Sequence, residues 1–166
     1  MHIPALQGNK FVGMPEFTQL IIEVTQEIKG RAIDKQLESH LNRVLPPESA
    51  TFQRIFGECR TAIEEGWMCQ RSAQGIRYGR VLKPTAELNR FSVDVVDMKD
   101  VIGPHHAHPN GEIDMVMPVD AGAAFDGHEA GWLVYGPNSA HRPTVTRGRA
   151  LVLYLLPEGA IDFTPA

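Results

Sequence analysis

The chain is poor in cysteine, in excess basic charge and in long apolar runs. Its two cysteines, Cys59 and Cys69, have a spacing that matches no zinc or redox motif, so we expect reduced thiols. Sixteen basic residues stand against 20 acidic ones, which gives a net charge of −4. The basic footprint of a nucleic-acid-binding protein is therefore missing, and we expect no nucleic-acid partner.

Three further signals are absent. The apolar runs are much shorter than the roughly 20 residues that a membrane-spanning helix needs. The first residues lack the basic start and apolar core of a signal peptide, so we expect a cytoplasmic protein with no membrane partner. No GxGxxG sequence is present, which argues against a nucleotide or flavin cofactor.

Residues 1–75 have the periodicity of helices, and 43% of the 166 residues are hydrophobic. An amphipathic helix with Pro15 in its first turn and Gly30 at its end is predicted by apolar residues at helical spacing: Phe17, Leu20, Ile21, Val24 and Ile28. A second helix is predicted to begin at Asp34, and a third carries Phe52 to Trp67. These apolar faces are expected to pack on the rest of the protein.

Residues 76–166 have the pattern of a β-barrel. Short β-rich runs alternate with Gly, Pro, Asn and Asp, and no helix-length segment separates them, so a parallel α/β sheet is not expected. The predicted strands cover 78–82, 91–97, 102–108, 112–118, 123–125, 131–135, 142–146, 150–156 and 161–163, with a turn at Arg147–Arg149. The fold class is mainly β with an α-helical N-terminal segment.

Four residues have the types and spacing of ligands for one divalent metal. His106 and His108 are separated by one residue and point to the same face of a strand. The turn 109–111 can bring Glu112 to the same point, and His141 follows a second Gly-Pro-Asn turn. A lone HxH is more often incidental, but this combination favours Fe, Zn, Mn, Co or Ni with positions open for water or substrate.

The same residues resemble a known family. HxH, a glutamate four residues later and a distant histidine after a Gly/Pro turn are similar to the metal motifs of the cupins, which are double-stranded β-helix barrels. The flanking glycines of the first cupin motif are displaced here to Gly103 and Gly122, and Asn138 stands at one glycine position of the second. Asn is the best substitute where φ is positive, so the turn can survive.

The whole chain resembles a narrower group, the 4-hydroxylaminobenzoate lyases. The resemblance rests on the chain length, the three predicted N-terminal helices and the runs IGPHHAHPNGEIDMVMPVD and GWLVYGPNSAHRPTV. It implies a metal-dependent conversion of 4-hydroxylaminobenzoate to 3,4-dihydroxybenzoate (protocatechuate) and ammonia in nitroaromatic degradation. That reaction transfers no net electrons to an external acceptor, so it needs no nicotinamide or flavin.

An aromatic carboxylate substrate suggests further site residues. Arginine matches a carboxylate with its planar fork, so Arg80 and Arg142 are candidate substrate-binding residues, although either can be a solvated surface charge. Two aromatic residues are further candidates for substrate binding: Trp132 as part of the pocket wall and Tyr135, which is also a possible proton donor. A core position is the alternative for both. Candidate catalytic acids or bases are Tyr154 and His105.

Other functions stay open at this stage. A cupin dioxygenase or isomerase acting on another small aromatic or keto acid would use the same ligands, because fold does not select chemistry. A non-enzymatic ligand-binding cupin is the competing class, although it has no need for a metal with open positions. Apolar helix faces and barrel edges lead us to expect a homodimer.

Overall fold

The structure is a computed structural model that describes residues 2–163, with side chains from residue 13 onward. Three helices come first: α1 His2–Ile28, α2 Lys35–Val44 and α3 Ala50–Glu65. The carboxylate of Asp34 accepts a hydrogen bond from the Leu37 N–H, so α2 begins where the sequence predicts. No helix among the described residues is both long and apolar enough to cross a membrane.

The first helix differs from expectation at its start. It begins at His2 and passes through Pro15, whereas the sequence placed Pro15 in its first turn. Proline removes one backbone donor, and the buried face on the following turns offsets that loss. The predicted apolar face is confirmed, because its five residues are at most 2% exposed.

Ten strands follow the helices within the described residues. They are β1 Arg71–Ala73, β2 Ile76–Leu82, β3 Phe91–Ile102, β4 His106–His108, β5 Glu112–Pro118, β6 Ala124–Phe125, β7 Gly131–Tyr135, β8 Ser139–His141, β9 Thr144–Pro157 and β10 Asp162–Phe163. A seven-stranded sheet has the order β1-β2-β3-β9-β5-β7 with β6 paired to β9, and a three-stranded sheet has the order β10-β4-β8. All pairings are antiparallel, so the mainly β class with a helical front segment is confirmed.

One predicted break between strands is wrong. The turn expected at Arg147–Arg149 is an irregularity inside the single long strand β9. Arg147 and Gly148 do have positive φ values of 63° and 119°. Pairing with β3 nevertheless continues on both sides, with Arg149 opposite Lys99 and Val145 opposite Val101. Tertiary pairing therefore carries the strand through a local bulge.

The large sheet has two faces, and they alternate along each strand. We define the outer face by the buried residues Ile113, Met115, Met117, Leu151, Leu153 and Leu155, which form one core with the helices. We define the inner face by the residues between them, including Glu112, Asp114, Val152 and Tyr154. The inner face encloses a second apolar cluster with Phe125 and Val145 and carries the polar residues of the site.

Helix α2 covers the free edge of β7 with side chains. Asn42 accepts a hydrogen bond from the Trp132 N–H at 2.8 Å and donates one to the Trp132 carbonyl at 2.9 Å. Glu38 accepts from the Val134 N–H, and Lys35 donates to the Val134 carbonyl, both at 2.8 Å. These groups replace a missing neighbour strand and attach the helical segment to the barrel.

Candidate metal centre

Three neighbouring strands bring the four predicted ligands together. Strand β4 pairs with β8 so that His106 lies directly opposite His141. His108 is two residues further along β4 and therefore shares the face of His106. Glu112 opens β5 after the turn at Gly111, whose φ of 92° favours glycine. The four ligand atoms all lie within 4.8 Å of one another.

The separations between these atoms fit one shared ion. His106 Nε2 and His108 Nε2 lie 3.2 and 3.1 Å from Glu112 Oε1. His141 Nε2 lies 3.1 Å from His106 Nε2 and 3.5 Å from Glu112 Oε2. Ligand atoms held about 2.1 Å from a common ion at angles of about 90–110° are about 3.0–3.4 Å apart. The donor set and its spacing therefore suit a transition metal.

Hydrogen bonds fix two of the imidazoles in the orientation that metal binding requires. The hydroxyl of Ser139 donates to the Gly136 carbonyl at 2.6 Å, so it accepts from His108 Nδ1–H at 2.9 Å. His141 Nδ1–H donates to Asp126 Oδ2 at 2.6 Å. With the proton on Nδ1, each Nε2 is the ring nitrogen left to bind a metal ion, and these assignments follow from the partners.

The electrostatics of the cluster favour a charged carboxylate among imidazoles. Burial acts to raise the pKa of Glu112, but the neighbouring imidazoles of His106, His108 and His141 hold that pKa well below its usual range. Burial acts to lower the pKa of His141, whereas Asp126 and Glu112 raise it to about 9. Within the described residues, the buried atoms His108 Nε2 and Glu112 Oε2 have no hydrogen-bond partner. A cation at the centre would satisfy both.

A line of polar side chains crosses the inner face beside the cluster. Arg80 pairs with Asp94, which pairs with Tyr154, which pairs with Asp114, each on the next strand of the sheet. Asp114 is fully buried, and neither of its oxygens has a hydrogen-bond partner among the described residues. Burial and the negative charge of Glu112 raise the pKa of Asp114 well above its usual range.

A cavity of about 510 Å³ opens onto this line. Its volume is within the range of small-molecule binding sites. Of the four clustered residues, His106 forms part of the cavity wall. The wall is mostly apolar and includes Tyr78, Arg80, Asp94, His106, Tyr154 and Phe163. The ring centroids of Tyr154 and Phe163 lie 6.0 and 5.7 Å from that of His106. The cavity therefore reaches the edge of the candidate metal centre.

The other predicted site residues are distributed unevenly around this cavity. Arg80 is on its wall, where Nε and Nη2 donate to the Asp94 carboxylate at 2.7 and 3.2 Å. Arg142 is exposed and His105 is half-buried, and neither is among the residues lining the cavity. Each is adjacent to a clustered histidine in sequence but lies just outside the strand, His105 before β4 and Arg142 after β8.

The structure places Trp132 on the outer face of the large sheet and Tyr135 beside the histidine cluster. Trp132 is on the outer face, where its indole N–H donates to the Leu45 carbonyl at 2.8 Å. Its cross-strand partner Met115 is also an outer-face residue. Tyr135 shares the inner face with its partner Glu112, but its hydroxyl donates to Asp126 at 2.5 Å.

Sequence reasoning missed three residues that contact the cluster or the cavity wall. The sequence did contain a signal for Asp114, because alternation along β5 predicts that it lies on the same face as Glu112. Asp126 lies in an Asp-Gly turn, and its contact with His141 depends on tertiary structure. Ser139 was not singled out, although it lies opposite His108 in the β4–β8 pair.

Three histidines and a glutamate therefore converge beside the inner face of a mainly β, antiparallel fold with a helical front segment. Residues 19–163 match the family described as PnbB, 4-hydroxylaminobenzoate lyase. The chain belongs to this family.

Two relatives agree with that assignment. A 4-hydroxylaminobenzoate lyase of Nocardioides sp. (strain LMS-CY) is 36% identical over 155 residues, which cover 87% of this chain and 92% of the relative. A protein of the same name from Pseudomonas putida is 31% identical over 165 residues, covering 89% and 94%. Among solved structures, an RmlC-like cupin protein from Ralstonia eutropha JMP134 aligns with a TM-score of 0.42 and 10% identity, covering 57% of this chain and 66% of that one.

Proposed function

We propose that the protein is a metal-dependent lyase that converts 4-hydroxylaminobenzoate and water into 3,4-dihydroxybenzoate and ammonia. The observation that carries this proposal is the His₃Glu cluster, which borders a cavity in a chain of the lyase family. The reaction is balanced without an external oxidant or reductant. The N–O bond breaks and its hydroxyl group leaves as water, one water adds to the neighbouring ring carbon, and a second water replaces the nitrogen, which leaves as ammonia. One water is consumed in total, and the two electrons that reduce the nitrogen come from the ring.

The cluster would hold one divalent ion through His106, His108, Glu112 and His141. Such an ion supplies Lewis acidity toward the N–O bond and lowers the pKa of bound water. The protein's own contribution is to hold the ligands in place before binding and to exclude bulk water, since three of the four side chains are at most 1% exposed. The ligand set is permissive, so Fe, Zn, Mn, Co and Ni are all suitable.

The cavity would hold the aromatic ring of the substrate. Its wall is mostly apolar, with Tyr154 and Phe163 beside the ring of His106. We place the substrate carboxylate near Arg80, whose Nη1 donates to no other described residue, while Asp94 holds the guanidinium in position. The hydroxylamino group would then point toward the cluster. Arg142 lies outside this wall and is the weaker choice.

The proton donor for the departing groups is proposed to be Tyr154. Burial raises its pKa well above the usual value, so its hydroxyl stays protonated and able to donate. It is on the inner face, between Asp94 and Asp114 on the neighbouring strands. We also propose His105 as a second candidate for the proton donor. Because His105 does not line the cavity, its proton would have to reach the substrate by way of the neighbouring His106.

We also propose a homodimer. The large apolar side chains of Ile102 and Phe163 are 63% and 66% exposed, which favours contact with a second copy. Light scattering after size exclusion is expected to give twice the 18.4 kDa chain mass. A monomer at all concentrations tested would reject this part of the proposal.

The direct test is product formation from 4-hydroxylaminobenzoate with and without oxygen. Equal amounts of ammonia and 3,4-dihydroxybenzoate are expected at the same rate in both conditions. Oxygen uptake in step with turnover would instead identify a dioxygenase. Arg80→Ala is expected to raise KM more than it lowers kcat, if the carboxylate contact is equal in ground and transition states. Arg142→Ala is the comparison, and a larger KM effect there would move the carboxylate site.

A further inference from the structure

A hairpin turn beside the cluster presents a carboxylate to one of the clustered histidines. Asp126 and Gly127 both have positive φ, 50° and 83°, and Phe125 and His128 exchange two backbone hydrogen bonds of 2.8 Å. These are the features of a two-residue type I′ turn, for which Asp-Gly is a favoured sequence. The Asp126 N–H also donates to the Thr144 carbonyl at 2.8 Å. The turn therefore fixes where the carboxylate points.

Three donors converge on that carboxylate. Asp126 Oδ1 accepts from the Thr144 N–H at 2.9 Å. Asp126 Oδ2 accepts from His141 Nδ1–H at 2.6 Å and from the Tyr135 hydroxyl at 2.5 Å. Only a carboxylate offers an acceptor on both sides, since an amide would direct its NH₂ group at one of the donors. The residue type is thus matched to its three neighbours.

We propose that Asp126 is a positioning residue that holds His141 with its proton on Nδ1 and its Nε2 directed into the cluster, and so sets the affinity for the divalent ion. The inference rests on the metal site of the proposed function. Tyr135 shares this role by occupying the second acceptor direction of Oδ2. Its ring also packs against that of His141, with centroids 4.4 Å apart. The phenol therefore supports the ligand rather than the substrate.

The test is Co²⁺ titration of the full-length protein after removal of metal by chelation, followed by visible absorption. Asp126→Asn is the informative variant because Asn-Gly is also favoured in type I′ turns, so the hairpin survives the change. Loss of a carboxylate that orients a ligand histidine typically weakens metal binding about 10- to 100-fold. We expect a loss of that size, with an altered Co²⁺ spectrum and an unchanged circular dichroism spectrum.

Asp120→Asn is the matched control. Asp120 bonds to the backbone of Arg149 as Asp126 does to that of Thr144. Its N–H donates to the Arg149 carbonyl at 3.0 Å, and its carboxylate accepts from the Arg149 N–H at 2.8 Å. It makes no hydrogen bond to a clustered histidine within the described chain. Co²⁺ affinity is expected to stay at the wild-type value in this variant. Equal losses in both variants would show a structural loop effect and overturn the inference.

Two further outcomes separate this inference from the proposed function. Wild-type affinity in folded Asp126→Asn would overturn the positioning role and leave the metal site intact. Failure of the wild-type protein to bind Co²⁺ would overturn both. If Asp126→Asn does not fold, side-chain ¹⁵N spectra of the Zn²⁺-loaded wild-type protein decide the question. His141 is expected as the Nδ1–H tautomer with Zn²⁺ on Nε2, and metal on Nδ1 would contradict the inference.

Discussion

The outer and inner faces of the large sheet differ sharply, although they alternate along the same strands. On β5, the outer-face residues Ile113, Met115 and Met117 are apolar and pack into the core with the helices. The inner-face residues Glu112 and Asp114 are equally buried but carry acidic groups. Burial alone therefore does not tell whether a side chain stabilises the fold or belongs to the candidate site.

The comparison teaches where stability and chemistry reside. Apolar burial on the outer face contributes about 25 cal/mol per Å² and attaches the helices to the barrel. The buried acids of the inner face are costly unless paired, and Asp114 and one oxygen of Glu112 lack partners within the described residues. Buried polar groups without hydrogen-bond partners are rare in proteins. Their concentration at one place indicates a functional site, where the binding of a ligand offsets the free-energy cost of burying them.

The largest expected effect comes from removing a clustered histidine that contacts Glu112 of the inner face. His106→Ala should lower kcat/KM at least about 1000-fold, because the metal supplies several kcal/mol of transition-state stabilisation. The folded state of the metal-free protein should lose no more than about 1–2 kcal/mol. Initial rates and urea unfolding measure the two quantities. A variant with substantial activity would place the metal ligand elsewhere.

The second prediction concerns a substitution in the apolar core of the outer face. Leu153→Ala in the central strand β9 removes a fully buried side chain at the helix–sheet core. The free energy of unfolding should fall by about 2–5 kcal/mol through lost burial and the cavity left behind. Activity per folded molecule should stay close to that of the wild type at low temperature. A selective loss of kcat with unchanged stability would contradict the separation of the two faces.

A smaller effect is expected where α2 meets the edge of β7. Asn42→Ala leaves the backbone N–H and carbonyl of Trp132 without their side-chain partner. The cost should be about 1–3 kcal/mol in urea unfolding. The control is Asn110→Ala, because Asn110 is exposed and its amide reaches the Pro157 carbonyl only at 3.4 Å. Equal effects at the two sites would show that the edge contacts contribute little.

A further expected effect is the pH dependence of the metal-free protein. The pKa of His141 is raised to about 9 in the folded state, from an unperturbed value of 6.5. Its protonated form therefore stabilises the fold fully below pH 6.5, and this contribution is lost as pH rises through 9. Thermal unfolding in chelator should show that decline, and His141→Gln should remove it. A wild-type profile identical to that of the variant would exclude this contribution.

Alternation and turn residues predicted much of the site in advance. The HxH pair, the Pro-Asn-Gly turn and Glu112 are close in sequence, so local rules sufficed to place them on one face. The helix face from Phe17 to Ile28 followed from its period for the same reason. Asp114 was within reach of the same rule, since it is two residues from Glu112.

Other features depend on register and tertiary contact. Trp132 and Tyr135 are both on β7, and only the pairing with Met115 and Glu112 assigns them to opposite faces. Asp126 meets His141 because a hairpin turn approaches β8, which no local pattern predicts. The bulge at Arg147 looks like a turn from its sequence, but pairing with β3 on both sides extends the strand.

The central claim is that the cluster of His106, His108, Glu112 and His141 binds one divalent ion on which turnover depends. The most direct measurement is stepwise addition of Co²⁺ to chelated protein, with bound metal and ammonia release recorded at each step. The account predicts that activity rises linearly and reaches its plateau at one ion per chain. His106→Ala should neither bind nor respond at the same concentrations. Full activity in protein that retains almost no metal would contradict the account.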